Sequence, residues 1–572
     1  FRRLSAPVEE LEADADCVVP LWVRAHAWVP PQGRQRKAAR HVEVGADPRR
    51  LHPFGVGDQV RLLYPGVAGQ GAEAVPATVV EAAADRLVVV EKADVGAEHD
   101  RQPLAVLPGA PVRSTPKDEA LWEVAERVAA ALPRPPQMAG VDLLRRVPPR
   151  LRGGGALPDP GDFGGDTVAA VLAAVDALDD SYLAVQGPPG AGKTYLAARL
   201  ITHLVGRGLR VGVCATSHQA IENVLRAAVR AAAEAGVGVP CAKRPSGVSP
   251  DRRVPWEQPR QVRDLVQWCH RQEGGYLVGG TAWNFTHPQM RGLGVDVLLI
   301  DEAGQFALAD AVAVSAAARS LVLLGDPQQL PHVVQGVHAA GADRSALEHV
   351  VGDADIIDPA YGYFLAHTRR MHPGVCTVVS HLAYQGRLSA HPDAALRGLA
   401  GVEAGVYRKV VAHQGRSTHS PEEVRAVVEV VAQLVGREWC EPGRPPRPLQ
   451  GSDIMVVAPF NVQVRALRAA LAEAGLEAVR VGTVDRFQGQ EAPVVVCSMT
   501  VSSAREAPRG MEFVLSRNRL TVALSRAQAV AVVVCAPSLV ESAARTMAEL
   551  RALAGFAHVW AQARDWPDPA PG

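Results

Sequence analysis

The chain has 572 residues, 48% of them hydrophobic, and its 60 basic and 60 acidic side chains leave a formal net charge of zero. That length suits about four domains at ~150 residues each. The charge balance excludes a globally basic nucleic-acid coat and a long acidic tail, but leaves room for a local basic groove. Eight dispersed cysteines, no two at CxxC spacing, argue against a zinc ribbon, an iron–sulfur cluster or a small disulfide scaffold, and point to a reducing, cytoplasmic setting.

In chain order, the opening FRRLSAPVEELEADAD is acidic where a signal peptide needs an apolar stretch. The first residue is Phe rather than Met, so the chain is expected to be a fragment. No apolar run reaches the ~18 residues of a membrane span. Residues 1–50 give no firm element: Leu21–Val23 reads as a short strand, RQRKAAR as a turn or helix end, and the segment as the possible tail of an upstream domain. Over 51–110, FGVGDQVRLLYPG and VPATVVEAAADRLVVVEKA alternate β-branched runs with Gly, Pro and Asp. That texture predicts a small antiparallel barrel. Residues 111–160 read as a helical stalk, with helix over 117–147, ending in the Pro/Gly-rich linker RVPPRLRGGGALPDPGDFGG.

Beyond residue 161 the pattern becomes strand, loop, helix. Apolar strands are expected at Tyr182–Gln186, Arg210–Cys214, Val295–Ile300, Leu321–Leu324, Ile454–Ala458, Val494–Met499 and Val530–Cys535. Such runs separated by helices predict an α/β fold with parallel sheets covered on both faces. Two α/β domains are expected, 161–350 and 351–572.

Gly187-Pro188-Pro189-Gly190-Ala191-Gly192-Lys193-Thr194 matches G-x-x-x-x-G-K-[ST] between a strand and a helix. Glycines let the backbone wrap so that its N–H groups face phosphate oxygens. Lys193 is one of only six lysines, against an arginine excess typical of GC-rich coding. Its ammonium would reach the β- and γ-phosphates of ATP, and the Thr194 hydroxyl would hold Mg²⁺. The strand VDVLLI delivers Asp301-Glu302 to its C-terminal end, the ligand side of an α/β sheet. Asp301 would hold Mg²⁺ through water and Glu302 would orient or deprotonate the attacking water. In LVLLGDPQQLP, Gln329 is the candidate to hydrogen-bond the γ-phosphate or lytic water, with Gln328 beside it as the structural alternative.

GPPGAGKT, DEAG, GDPQQLP, TRRMHP, VGTVDRFQGQE and LTVALSRAQ occur in that order. Together they resemble the superfamily 1 helicases of the 5′→3′ branch, which holds the nonsense-mediated-decay RNA helicase and the replication helicase–nuclease. SRNRLTVALSRAQ is most similar to bacterial proteins in which such a helicase follows a RecB-like nuclease. The resemblance covers about 165–540. It implies two tandem RecA-like domains with ATP between them, and gives Arg370 and Arg526 the role of fingers on the γ-phosphoryl group, a contribution of ~10³–10⁵ in rate. It assigns Glu491 to the ribose, Asp485 to the same nucleotide motif, and Gln488 to the link between nucleotide and nucleic acid. It makes Thr216, Ser217 and Thr281 contacts to strand phosphates, read without sequence preference.

Three positions depart from the family pattern. Arg369 replaces the Tyr that stacks on adenine, the upstream Q-motif glutamine is missing, and His218 stands where Asn is common. The function expected is an ATP-dependent 5′→3′ helicase on single-stranded DNA, working as a monomer, with a nuclease domain upstream. An RNA helicase or RNP remodeller, and a nucleotide-gated scaffold, stay open as alternatives.

Overall fold

The computed structural model describes residues 6–567 apart from 15–16, 32–35, 48–51, 67–71, 84, 110–113, 246–250, 252, 333, 335–337 and 340. Two compact units result, Phe1–Ser114 and Thr115–Gly572.

The first unit is one antiparallel sheet. Its strands are β1 (Val23–Ala25), β2 (Lys37–Gly45), β3 (Gln59–Tyr64), β4 (Glu73–Ala82), β5 (Arg86–Asp94) and β6 (Ala105–Pro108), in the order β1-β2-β5-β4-β3-β6. Val18 bridges Val106 on β6 just before β1 pairs with β2, so residues 18–25 touch both edges of the sheet. Val42, Val44, Leu62, Val79, Leu87 and Val89 fill its core. Within the segment that gave no firm element in sequence, Val8–Ala13 is a helix, Val23–Ala25 and Lys37–Gly45 belong to this sheet, and Lys37–Arg40 is strand rather than turn. The signal was masked because Arg40 points inward. Its guanidinium is bonded to Glu91, the Tyr64 hydroxyl and the carbonyls of His99 and Arg101. A buried arginine fully supplied with acceptors costs little, but it breaks the apolar alternation by which a strand is read.

The second unit opens with helices Thr115–Ala131 and Ala139–Arg145. The single helix expected over 117–147 is interrupted at Pro133-Arg134-Pro135-Pro136, where ring geometry and missing N–H donors stop it. A seven-stranded parallel sheet follows: β7 (Tyr182–Gln186), β8 (Arg210–Cys214), β9 (Cys241–Lys243), β10 (Tyr276–Gly280), β11 (Val295–Ile300), β12 (Ala318–Gly325) and β13 (Gly362–Phe364). Its order is β13-β7-β12-β11-β8-β10-β9. Both faces are covered: Tyr182, Ala184, Leu298 and Ile300 enter one core, while Leu183, Val185, Val297 and Leu299 enter the other. This is why these strands read as unbroken apolar runs. Strand β13 lies past residue 350 yet pairs in parallel with β7, so the first sheet runs on beyond the expected join. Three residues are too short to show a period.

The second sheet comprises β14 (Gly405–Val410), β15 (Ile454–Val457), β16 (Arg480–Gly482), β17 (Ala492–Ser498), β18 (Ala527–Cys535) and β19 (Arg564–Asp565). The order is β16-β15-β17-β18-β14-β19, again parallel. Its residues also alternate between two cores, with Met455, Val495 and Val533 on one side and Val456, Val494 and Val532 on the other.

Candidate functional site

Strand pairing brings the sequence motifs to one edge. At the C-terminal ends of neighbouring strands, Gln186 on β7 is in register with Gly325 on β12, and Ile300 on β11 with Cys214 on β8. Gly280 on β10 is level with Cys214 too. The loops that follow therefore lie side by side. The glycine loop 187–192 follows β7, Asp326–Gln329 follow β12, Asp301-Glu302 follow β11, Thr216-Ser217 follow β8, and Thr281 follows β10. The first three form the β13 half of the edge and the last two the β9 half.

The glycine loop turns through Gly190 and Gly192, with φ of 73° and 90°. Left-handed geometry and close approach both demand glycine there. A Cβ on Gly190 would lie 2.4 Å from Arg370 Cβ and 2.7 Å from Thr368 Oγ1. The loop is held against 368–370 by Arg369 N donating to Gly190 O (2.9 Å) and Thr368 Oγ1 donating to Pro189 O (2.9 Å). Pro188 and Pro189 are buried, whereas Ala191 is half-buried. Lys193 begins the helix Lys193–Gly206, and its Nζ donates to Gly187 O at 2.6 Å. Thr194 stands exposed beside it.

Asp301 is 8% exposed and its amide bonds Cys214 O at 2.8 Å. Burial, and then the Glu302 charge next to it, push its carboxyl up against the pull of Lys193. Glu302 has φ of 55°, a left-handed conformation that costs a non-glycine residue of order 1–3 kcal/mol. Two adjoining carboxylates, one deeply buried, and an exposed hydroxyl are the oxygen ligands a divalent cation takes, while the ammonium suits the phosphates of a nucleotide. No group of three or more His, Cys, Asp or Glu side chains is arranged as a self-sufficient metal cage among the described residues.

Gln329 and Gln328 are both buried and engaged. Gln329 Nε2 donates to Asp326 Oδ2 (3.1 Å), while Gln328 Nε2 donates to Asp355 O (3.2 Å) and its Oε1 accepts from Arg517 Nη2 (2.7 Å). Asp326 also accepts from the Tyr384 hydroxyl at 2.6 Å. Burial raises its carboxyl above the usual range, and Lys193 and these donors oppose that.

The second sheet meets this edge with the opposite end of its strands. Glu491 and Arg526 immediately precede β17 and β18, whose first residues Ala492 and Ala527 are in register. Arg370 Nε donates to Glu491 Oε2 (2.6 Å) and its Nη1 to Ser525 O (3.3 Å), and Gln528 Nε2 holds Glu491 Oε1 (2.8 Å). Burial would raise Glu491, but the Arg370 charge and these bonds keep it below its ordinary value. Arg526 is 2% exposed and donates to Val522 O and Gln490 O, both at 3.0 Å. Burial, and then repulsion by Arg370, pull its guanidinium down to about 9, opposed by the field of Glu302. Arg370 and the buried Arg526 repel each other while the Glu491 carboxylate is held by Arg370 and Gln528, an excess of positive charge that favours an added anion. Asp485 lies apart from this cluster, exposed and bonded to Arg519 at 3.2 Å.

Residues 168–351 match one AAA domain family and residues 342–538 match another. The DNA replication ATP-dependent helicase/nuclease DNA2 of Bos taurus is 24% identical over 425 residues, covering 65% of this chain and 38% of that protein. DNA-binding protein SMUBP-2 of Rattus norvegicus is 26% identical over 418 residues, covering 61% of this chain and 41% of that protein. The chain belongs to the superfamily 1 helicases, on the branch that includes DNA2 and the nonsense-mediated-decay-like helicases. It spans about two fifths of the length of these two curated relatives. Among solved structures, arterivirus nonstructural protein 10 (helicase) with DNA is 13% identical with a TM-score of 0.36, covering 84% of this chain and 78% of that one.

The expected strand contacts sit where hydroxyls can also cap helices. Thr216 is exposed. Ser217 Oγ accepts from Ala220 N (3.1 Å) at the start of the helix His218–Glu234. Thr281 shares a capping box with Asn284. His218 opens its helix with its imidazole held below the usual range, by burial and then by the Lys243 charge. Gln488 is half-buried in the turn after Asp485, away from these three. Gln463, in the APFNVQ stretch, is fully buried and tied to Ser420 and Ser498. Sequence reasoning did not single out Tyr384, Arg517 or Asn518. Arg517 pairs with Asp355 at 2.7 Å and Asn518 Nδ2 donates to Pro327 O at 3.0 Å. Their signal was the SRNRL stretch preceding Arg526, whose first residues carry no chemistry until the fold places them on the GDPQQ turn.

Proposed function

We propose that this chain is an ATP-driven motor that moves 5′→3′ along single-stranded nucleic acid, DNA in preference to RNA. The observation that carries the reading is the confrontation of edges: the glycine loop and the Asp301-Glu302 pair on one side, and Glu491, Arg370 and Arg526 on the other. A nucleotide between them would have its phosphates on the loop amides and Lys193, and Glu491 near its ribose. Thr194 and Asp301 would hold Mg²⁺, which when bound supplies charge neutralisation at the phosphate oxygens. Glu302 orients and deprotonates the attacking water, Gln329 steadies that water, and Arg370 and Arg526 neutralise charge developing on the transferred phosphoryl group. The short bonds from 368–370 to Pro189 and Gly190 mean that a change in phosphate state moves both sheets.

Thr216, Ser217 and Thr281, level on β8 and β10, form the strand track of the first domain; Gln488 belongs to the second. Residues 161–350 and 351–572 act as the two RecA-like domains, with the join displaced to follow β13. The stretch 51–110, within the first unit, acts as an accessory barrel, and 111–160 as a helical stalk and linker. An upstream nuclease, as the name of the DNA2 relative suggests, completes the reading, together with monomeric action in the cytoplasm. The names of two relatives, a DNA replication helicase/nuclease and a DNA-binding protein, favour DNA as substrate.

The test is single-strand-stimulated ATPase of the wild type and Lys193→Ala, with duplexes carrying a 5′ or a 3′ tail and matched DNA and RNA strands. The proposal expects turnover lost in Lys193→Ala with strand binding kept, unwinding from 5′ tails only, and stronger stimulation by DNA. Turnover surviving Lys193→Ala would overturn the phosphate-loop assignment. Stimulation by RNA alone would turn the reading to an RNP remodeller. ATP consumption without strand displacement would favour the scaffold.

A further inference from the structure

The outer edge of the second sheet carries a cavity of about 570 Å³ that neither the nucleotide nor the strand assignment uses. Edge strand β16 and the helix Asn461–Glu473 frame it, and Arg468, Arg480, Arg486, Gln490 and Glu477 line it over an apolar floor that includes Phe487. Three guanidinium groups thus face one carboxylate. Arg468 Nη2 is bonded to Val481 O at 2.7 Å, and Arg480 to Gln490 Oε1 at 3.3 Å and Glu491 O at 3.2 Å, so both spend their donors on neutral acceptors. Arg480 Nε is buried without a hydrogen-bond partner. The field of Asp453 reaches Arg480, but that carboxylate is already held by both terminal nitrogens of Arg447, at 2.6 and 2.9 Å. Burial lowers the Arg468 guanidinium, and the charge of Arg486 lowers it further.

Arg468 and Arg486 are exposed and repel each other, and Arg480 Nε lacks an acceptor, so an anion entering the cavity meets three guanidinium groups against one carboxylate. A guanidinium fork matches phosphate oxygens in geometry as well as charge. The volume lies in the range of pockets that take a small organic ligand, and a mainly polar lining with apolar residues beneath it suits a sugar-phosphate. We propose that this cavity binds a phosphate-bearing nucleotide unit, supplied either by the nucleic-acid strand or by a free nucleotide. Gln490 links it to the candidate ATP site: its side chain accepts from Arg480 in the cavity, and its backbone carbonyl accepts from Arg526. Only the strand source rests on the motor reading above.

Arg486→Ala and Arg468→Gln in the 572-residue chain test this. Binding of a fluorescein-labelled oligo-dT is followed over a salt series, and the stoichiometry of a fluorescent ATP analogue is measured in parallel. With the strand as source, each variant weakens oligo-dT binding about 5–10-fold and lowers the slope of log K against log salt by ~0.7, while kcat for ATP at saturating strand is unchanged. With a free nucleotide as source, the wild type binds a second equivalent of analogue that both variants lose. If the variants match the wild type in strand affinity, salt slope and analogue stoichiometry, the cavity proposal is overturned and the motor reading stands. If the wild type binds no strand, the motor reading falls. The second equivalent then decides the cavity alone: its loss in the variants supports the site, and its absence from the wild type overturns it.

Discussion

The two parallel sheets of the larger unit use opposite ends. In the first, the candidate catalytic residues Lys193, Asp301 and Gln329 gather at the C-terminal edge. In the second, Glu491 and Arg526 sit at the N-terminal edge, immediately before β17 and β18. The N-terminal edge of the first sheet also holds an ion pair of Asp and Arg. Asp296 Oδ1 accepts from Arg210 Nη2 (2.8 Å), and its Oδ2 from Arg210 Nε (3.0 Å) and Arg210 N (2.8 Å). There the charges close on each other and leave nothing for a ligand. At the second sheet Glu491 is bonded by Arg370 and Gln528, while the hydrogen bonds of the buried Arg526 go to the carbonyls of Val522 and Gln490, so positive charge is left over. Strand end and charge balance together separate a structural pair from a reactive one; residue type does not.

The largest expected effect breaks the reactive side. Arg526→Gln removes the guanidinium proposed to neutralise the transferred group, so ATPase kcat is expected to fall by ~10³ or more, with nucleotide and strand affinities within a few-fold of wild type. Steady-state kinetics and equilibrium binding separate the two. Equal losses in kcat and in fold stability would make Arg526 a buried structural residue, as its two backbone bonds alone would suggest.

Asp296→Asn breaks the structural side. Loss of a charge-assisted, three-bond acceptor on a half-exposed pair is expected to cost ~1–2 kcal/mol of stability, read by chemical denaturation, with ATPase kcat unchanged. The pH dependence has a definite sign. Burial would raise Asp296, but the Arg210 bonds and charge hold it below its ordinary value. Its contribution is therefore present above the unfolded-state value of ~3.9 and is lost as pH falls through the lower folded value. The gap between wild type and variant closes below about pH 4. A gap that widens there contradicts the assignment.

How much of this was legible before folding depends on what each region asks of its side chains. The first sheet's site was readable because phosphate binding by backbone demands glycines at fixed spacing beside a lysine, and only Gly190 and Gly192 tolerate φ of 73° and 90° with Arg370 packed against the loop. The buried strands were readable because both faces are covered. Edge strands β13, β16 and β19 have two or three residues each and carry no period. In the first unit, Arg40 facing inward hid β2. Arg517, Asn518 and Tyr384 stayed hidden for a different reason: their partners on the GDPQQ turn lie 58 to 191 positions away along the chain. A sequence motif cannot record a contact made by topology.

Those hidden contacts offer a finer test of how the sheets communicate. Arg517 reaches from the second sheet's helix Arg517–Leu524 to Gln328 and Asp355. Arg517→Ala leaves Lys193, Glu302 and both fingers in place. The expected outcome is a roughly tenfold smaller stimulation of ATPase by single strands, near the ~1.4 kcal/mol per decade of a single coupling, with unstimulated turnover unchanged. Equal stimulation in both proteins would leave Tyr384 and Asn518 as the links that matter.

The smallest effect lies on the strand half of the first sheet's edge, and it separates two uses of a hydroxyl. Thr216 is exposed and Ser217 caps a helix, although both follow β8. Ser217→Ala is expected to lose ~1 kcal/mol of stability through the cap, with strand affinity following only as the helix start loosens. Thr216→Ala removes a neutral donor that phosphate can use, so strand affinity is expected to fall about 2–10-fold with no change in stability or in the salt slope, because no cation is lost. Measuring both variants by denaturation and by oligo-dT binding over a salt series gives opposite patterns if the strand runs over β8. If Thr216→Ala binds like the wild type while Thr281→Ala does not, the strand crosses at β10 instead, and the track lies one strand closer to β9.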